Sequence, residues 1–246
     1  MKYLCLALAI MVIGCSEDGD SIYLGSGDGF SAVSGSNTGF TMIGDYLYAL
    51  SFKDLTIYNV SDSSEIVLEN RIEIPTDSET IFGYQNYLLF GRQNGVSVYD
   101  VSEIPTDPVF LSEYLHQTAC DPVIARDGVA YFTIRSGNGC GPDRSDQLVV
   151  LDISDPTNPI PMNEIDLSSP RGLAINGNKL FVSDGIAGIR QFDITDKFSP
   201  ELIDTPSGSF SSDLIALDSV LISVGVNSVD QFLIEENGLS ILSRLR

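Results

Sequence analysis

The chain of 246 residues carries 13 Lys and Arg against 34 Asp and Glu, a formal net charge of −21, with 43% hydrophobic residues and no Trp. So acidic a chain repels phosphate backbones, which argues against nucleic acid as a partner, while its length and apolar content suffice for one large domain with a substantial core. It has one His and lacks a G-x-S-x-G elbow, a phosphate loop and a dinucleotide fingerprint, so the usual residues of nucleophilic and nucleotide-dependent chemistry are missing.

Met1 and Lys2 give a short positive start, Tyr3 to Ile13 is apolar, and Val12-Ile13-Gly14-Cys15 closes the run. An apolar segment this short reads as a secretory signal rather than a permanent span. V-I-G-C resembles the lipobox of bacterial lipoproteins, which implies removal of residues 1–14, acylation of Cys15 and a chain held to the membrane by its lipid. The alternative is an ordinary signal in which Cys15 is incidental. Ser16, rather than Asp, as the second mature residue implies the outer membrane under sorting of the enteric type. Loss of Lys2 leaves 12 basic residues against 34 acidic ones. Residues 15–39, rich in Gly, Ser and Asp, read as a flexible acidic tether, with Ser21 to Leu24 or Phe30 to Val33 as candidate strands that would help close a ring.

Residues 40–246 are an array of apolar hairpins. Thr41 to Leu50, Ile81 to Phe90, Val123 to Ile134, Leu173 to Val182 and Leu214 to Val224 each read as two strands. Four of the five turn at Gly44-Asp45, Asp127-Gly128, Asn176-Gly177-Asn178 or Asp218-Ser219, residues that tolerate positive φ. After each hairpin comes a second element: L-T-I-Y-N-V-S-D (55–62), V-S-V-Y-D-V-S-E (96–103), L-V-V-L-D-I-S-D-P-T-N-P (148–159), I-R-Q-F-D-I-T-D (189–196) and a degraded V-D-Q-F-L-I-E-E (229–236). Each is a strand ending in a polar turn, because Asp and Ser side chains bond nearby backbone and Pro cannot continue a ladder. Aligned on Asn59, Asp100, Asp152, Asp193 and Leu233, the copies are spaced by 41, 52, 41 and 40 residues, the long interval holding a Gly-rich insertion at Gly137 to Gln147. Four short strands in about forty residues is the signature of a propeller blade. The expected fold is an all-β propeller of five four-stranded blades, with no helical period in it.

L-V-V-L-D-I-S-D-P-T-N-P and its cousins resemble the LVIVD-repeat family of bacterial surface and secreted proteins, from about Thr41 to the end. The resemblance implies a β-propeller with a secreted or lipid-anchored address, and it supplies no agreed activity, cofactor or catalytic residues. The fifth copy lacks both the Asp and the Pro, which bears on how the ring closes.

In a blade running from inner strand A to outer strand D, the B–C loops and the D–A connectors emerge on one face. Cys120, in the connector into blade 3, and Cys140, in the B–C insertion of that blade, read as a disulfide in an exported chain, worth on the order of 3 kcal/mol. A zinc site using Cys120, Cys140, His116 and Asp121 would lack both a second His and C-x-x-C spacing. Acidic runs at Glu17 to Asp20 and Asp143 to Asp146 lack the alternating calcium-loop pattern and read as solvated loop. Asp100, Asp152 and Asp193 repeat at equivalent turns and read as structural. Lys53, Arg92 and Arg135 mark the B–C loops of blades 1 to 3, Arg144 lies in the insertion, Arg171 in the connector into blade 4, and His116 at the rim. Together they form a candidate basic mouth for an acidic glycan or a carboxylate-bearing protein; the other reading pairs them with nearby Asp. The expected function is non-catalytic partner binding by a lipid-anchored envelope propeller without a cofactor or metal. The alternatives are an envelope polysaccharide hydrolase or lyase using loop-face carboxylates, or a purely structural envelope component.

Overall fold

Strand follows strand with short turns, and pairing is always with the chain neighbour. The computed structural model describes residues 38–51, 53–116, 122–136, 146–204 and 210–245. Blade 1 comprises β1 (Phe40–Ile43), β2 (Tyr46–Leu50), β3 (Asp54–Asn59) and β4 (Val67–Glu73). Blade 2 comprises β5 (Ser78–Tyr84), β6 (Tyr87–Arg92), β7 (Gly95–Asp100) and β8 (Val109–Leu115). Blade 3 holds β9 (Val123–Arg126), β10 (Val129–Ile134), β11 (Gln147–Asp152) and β12 (Ile160–Asp166), and blade 4 holds β13 (Leu173–Asn176), β14 (Lys179–Ser183), β15 (Ile189–Asp193) and β16 (Glu201–Asp204). Blade 5 ends the array with β17 (Asp213–Leu217), β18 (Val220–Val224), β19 (Val229–Glu235) and β20 (Gly238–Leu245). All five sheets are four-stranded, antiparallel and in chain order, so the fold is the expected β-propeller. Gln147 opens β11 instead of closing the insertion.

The turns follow from their residues. Gly44, Gly128 and Gly177 take φ of 55°, 76° and 54°, and Asp127 and Asp218 take 51° and 45°. The turn of blade 2, which carries no such signal in its sequence, places Gln85 at φ 53°. The repeated carboxylate proves to be a turn staple. Asp100, Asp152 and Asp193 accept the amide of the residue two further on, at 2.8, 2.9 and 2.7 Å, and Asn59 does the same for Ser61 at 3.0 Å. Hydrogen bonds from the Ser154 and Thr195 side chains and amides hold the Asp152 and Asp193 carboxyls below the usual carboxylate range. Blade 5, with Leu233 at this position, keeps the register (Val220 opposite Leu233) and joins β19 to β20 through Glu236-Asn237 alone. In every blade the C–D pairing shifts register at one equivalent place, leaving Glu69, Leu111, Met162, Ile203 or Leu242 as an extra residue on strand D.

Strands B and C are apolar on both faces, and in blades 2 to 4 each sheet is sandwiched between two others. On strand B, Tyr48, Leu89, Tyr131 and Phe181 point to the next blade, while Leu88, Ala130, Leu180 and Leu221 point back to the preceding one, and all of these are buried. Three apolar clusters result, one between blades 1 and 2, one through blades 2, 3 and 4, and one between blades 4 and 5. Polar bonds fasten the same junctions. Tyr48 Oη donates to the Pro105 carbonyl at 2.9 Å and Tyr131 Oη to that of Lys197 at 2.8 Å, each reaching the C–D loop of the following blade. From the equivalent position of strand D, Asn70, Ser112 and Asn163 donate to the carbonyls of Thr106, Pro156 and Phe198 in that same loop. Inner strands β1, β5, β9, β13 and β17 pack side by side in that sequence. Among the described residues no apolar cluster joins blade 5 to blade 1.

Candidate functional site

The loop face is built from the B–C loops and the D–A connectors. Among its described basic residues Arg92, His116 and Arg135 are engaged by neighbours, whereas Lys53 and Arg171 are in no ion pair. Arg92, which ends β6, has its Nε 3.1 Å from Asp77 and its Nη1 2.7 Å from Glu113 and 3.0 Å from Ser97 Oγ, with a side chain only 12% exposed. Burial disfavours its charge, but the bonds to Asp77 and Glu113 outweigh that and raise its pKa. Arg92 is therefore a clamp between the first and last strands of blade 2, not a group available to a ligand. His116 donates its amide to the Asn94 carbonyl at 3.0 Å and stacks its ring on Phe132, centroids 5.8 Å apart, at the junction of blades 2 and 3. Arg135 is half-buried and makes contacts of its own; next to it Ser136 donates its amide and hydroxyl to Asp146 at 2.9 and 2.8 Å. Lys53 is exposed, immediately before β3. Cys15, Cys120, Cys140, Asp121 and Arg144 lie outside the described residues, as do Glu17 to Asp20 and the tether up to residue 37, while Thr38 and Gly39, expected in the tether, accept the amides of Ile81 and Leu50 at 3.0 and 2.6 Å.

Arg171 differs from these. Its backbone is fixed on both sides, the amide donating to the Ser183 carbonyl at 2.8 Å and the carbonyl accepting from Thr133 Oγ1 at 3.0 Å. Its guanidinium carbon sits 5.0 Å from the centroid of the Phe210 ring, a cation–π distance. The buried Nε has no hydrogen-bond partner, and among the described residues no carboxylate pairs with this side chain.

The surroundings are held from beneath by Asp184, which is fully buried. One of its oxygens accepts the amides of Ser168 and Ser169, both at 2.7 Å, and the other accepts from Arg190 Nε at 2.6 Å. The carboxylate thus ties the connector bearing Arg171 to the B–C loop of blade 4. That loop continues through a single 3₁₀ turn, Gly185–Ala187, whose tip Ile186 is 94% exposed. Gly185 sits at φ 58°, where a Cβ would come within 2.9 Å of the Ser169 Cβ, so only glycine fits. Ser183 and Ser211 are hydrogen-bonded to each other, Oγ to Oγ at 2.6 Å, which brings Phe210 alongside. The Phe210 carbonyl in turn lies against Gly225, next to exposed Val226. Arg171, Phe210, Ile186 and Val226 therefore all lie on the blade 4 and 5 side of the face: a cation on an aromatic ring, with exposed apolar tips on the adjoining loops.

The sequence brought Arg171 to notice through its charge and its connector. Phe210 lies beside a Ser-rich run that reads as plain loop, and Ile186 is a lone apolar residue in D-G-I-A-G, whose two glycines are the only hint of a tight projecting turn. Among the described residues no group of three His, Cys, Asp or Glu is placed to hold a metal ion. On the opposite face a groove of about 540 Å³ runs between the A–B turns of blades 4 and 5, where Lys179 Nζ already donates to the Glu235 and Glu236 carbonyls.

The LVIVD repeat family model matches residues 34–73 and 142–166, which are blade 1 and the second half of blade 3 with their approaches. No curated protein matches the chain. Solved structures that resemble it include a functionally unknown protein from Desulfotomaculum acetoxidans, with a TM-score of 0.65 and 11% identity over 84% of this chain and 68% of that one. Another is the periplasmic gluconolactonase of Pseudomonas aeruginosa, at 0.64 and 13% over 82% and 67%. BamB from Moraxella catarrhalis gives 0.53 and 12% over 84% and 59%. At these identities the likeness is one of fold: the chain carries LVIVD repeats on a β-propeller, and it spans about two thirds of the first two neighbours.

Proposed function

We propose that this LVIVD-repeat propeller is a lipid-anchored protein of the bacterial outer membrane that binds a partner, without catalysis, through its loop face. The patch of Arg171, Phe210, Ile186 and Val226 is the proposed contact, and an acidic glycan or a carboxylate-bearing protein segment is the proposed ligand. The observation that carries this reading is the Arg171 guanidinium held over Phe210 and, among the described residues, in no ion pair with a carboxylate, on a chain of net charge −21. A guanidinium so placed offers bidentate bonds to a carboxylate, and the ring and apolar tips offer a face for a sugar or an aliphatic side chain. Several carboxylates of this face, among them Asp77, Glu113, Asp146 and Asp184, are bonded to a neighbouring Arg or Ser, which supports binding over acid–base catalysis.

Two experiments test it. Binding of alginate and polygalacturonate fragments is measured by calorimetry for the native chain and for Arg171→Ala, Phe210→Ala and Lys53→Ala. The first two variants are expected to lose affinity at least tenfold and the third to keep it; equal affinity in all, or turnover of the polysaccharide, overturns the reading. Mass spectrometry of the chain expressed with its own N-terminus in a lipoprotein-competent bacterium is expected to find Cys15 as the acylated first residue, with a two-hydrogen gain on reduction from Cys120 and Cys140. An unprocessed chain removes the anchor.

A further inference from the structure

The four blade junctions are one interface made repeatedly. Each sheet has a trailing face that packs on the preceding blade and a leading face that receives the next. At the trailing-face position of strand A, Ile81, Val123, Leu173 and Leu214 in blades 2 to 5 are all 0% exposed, whereas their equivalent in blade 1, Phe40, is 56% exposed. Met42 beside it is exposed as well. At the leading-face position of strand B, Tyr48, Leu89, Tyr131 and Phe181 are fully buried, and the equivalent Ile222 of blade 5 is not, while Leu217 and Val229 on the same face are exposed.

The polar half of the junction is open at the same two ends. Asn70, Ser112 and Asn163 donate across to the next blade, but Ser243, at their position in blade 5, bonds Gln231 of its own sheet at 2.9 Å. In blade 1 the loop that would receive such bonds, Ser61 to Ile66, is exposed. Strand β17 is not packed beside β1 as the other inner strands are packed in succession.

Among the described residues one leading face and one trailing face are thus left over, and four junctions within the chain show that these two surfaces are mates. We infer that blade 5 of one molecule receives blade 1 of a second copy, a head-to-tail junction that repeats the internal ones. The leading face of blade 5 offers Leu217, Val220, Ile222 and Val229, and the trailing face of blade 1 offers Phe40, Met42, Leu47 and Ala49. Because the two surfaces differ, the contact is heterologous, and each copy retains one unsatisfied end for a further copy. This inference stands on the sheet faces and is independent of the ligand patch.

The test is sedimentation equilibrium of the full chain in density-matched detergent. The native chain is expected to exceed the monomer mass with rising concentration, more so at high salt, because two strongly acidic molecules repel. Phe40→Asp and Leu217→Asp, both at exposed positions that leave the core intact, are each expected to sediment as monomers with unchanged circular dichroism. Mixed in equal amounts they are expected to form a dimer and nothing larger, since one variant keeps its leading face and the other its trailing face. A native chain that stays monomeric means that the N-terminal segment or another protein covers these faces, and it overturns the inference. Assembly that survives both substitutions, or a mixture that stays monomeric, overturns it equally.

Discussion

Asp184 is the residue whose loss the structure lets us cost most directly. It is fully buried and accepts two amides and the Arg190 guanidinium, whose side chain is 21% exposed. In Asp184→Ala the part-buried amides of Ser168 and Ser169 lose their acceptor, and because water reaches them in part each costs about 1 kcal/mol, the low end for an unpaired donor. Arg190 loses its counter-charge, and breaking a buried pair from one side costs about 3–5 kcal/mol. The terms overlap, and partial exposure lets water reach Arg190, so the expected loss is about 3 kcal/mol. Asp184→Asn keeps an oxygen for the amides but turns an NH₂ toward Arg190, with an expected loss of about 2 kcal/mol. Urea unfolding read by circular dichroism measures both, the alanine variant shifting the midpoint by about 1 M. Adding Arg190→Met to Asp184→Ala is expected to recover part of the loss, because no cation is then left stranded. A loss below about 1 kcal/mol, the range of exposed ion pairs, would refute the role assigned to this carboxylate.

Acid should loosen the turns. The carboxyls of Asp62, Asp152, Asp155 and Asp193 are held below their ordinary pKa by side-chain and amide hydrogen bonds from the residue two further on. Their contribution is complete above the unfolded value of about 3.9 and declines as pH falls below it, so an Asp152→Asn, Asp193→Asn variant, unfolded in urea across this range, should show a shallower acid limb. Tyr131→Phe removes the bond to the Lys197 carbonyl and should cost about 1 kcal/mol in the same assay. In the native chain burial pushes the Tyr131 phenol up to about 12. Folding therefore favours the protonated phenol, and stability should fall as pH rises above about 10, which ultraviolet phenolate titration follows. Gly185→Ala forces a Cβ onto Ser169 in a left-handed conformation; it should cost about 1–2 kcal/mol and weaken any ligand that depends on Arg171.

Strand order, blade number and register were legible in the chain because they rest on local grammar: apolar runs, turn residues and a carboxylate at the end of strand C. Even the degraded copy aligned correctly at Leu233, since the apolar alternation on either side sets register without the Asp. The side of the disc on which Lys53, Arg92, Arg135 and Arg171 stand followed from topology. Which of them were free did not. Arg92 meets Asp77 and Glu113, partners 15 and 21 residues away that a strand pairing brings together. Asp184 and Arg190 look like ordinary loop and strand residues until the connector folds over them. The two unpaired sheet faces were also hidden, because Phe40 and Ile81 are the same kind of residue in the same place and only the stack distinguishes them.

The extra residue on strand D bears on how such molecules behave when crowded. Strand D is the free edge of every blade, and it displays Val67, Leu68, Val109, Phe110, Ile160, Met162 and Leu202 to solvent. A straight apolar edge is a template for the edge of another molecule and the start of a fibril. Bulging at Glu69, Leu111, Met162, Ile203 and Leu242 breaks the run of free amides and carbonyls and twists the edge, so that no long stretch can be zipped onto a neighbour. Blade 5 has lost the Asp and the Pro of its turn and has kept its bulge. The device belongs to colloidal survival rather than to turn geometry, and it leaves the ends of the stack as the place where copies can meet in register.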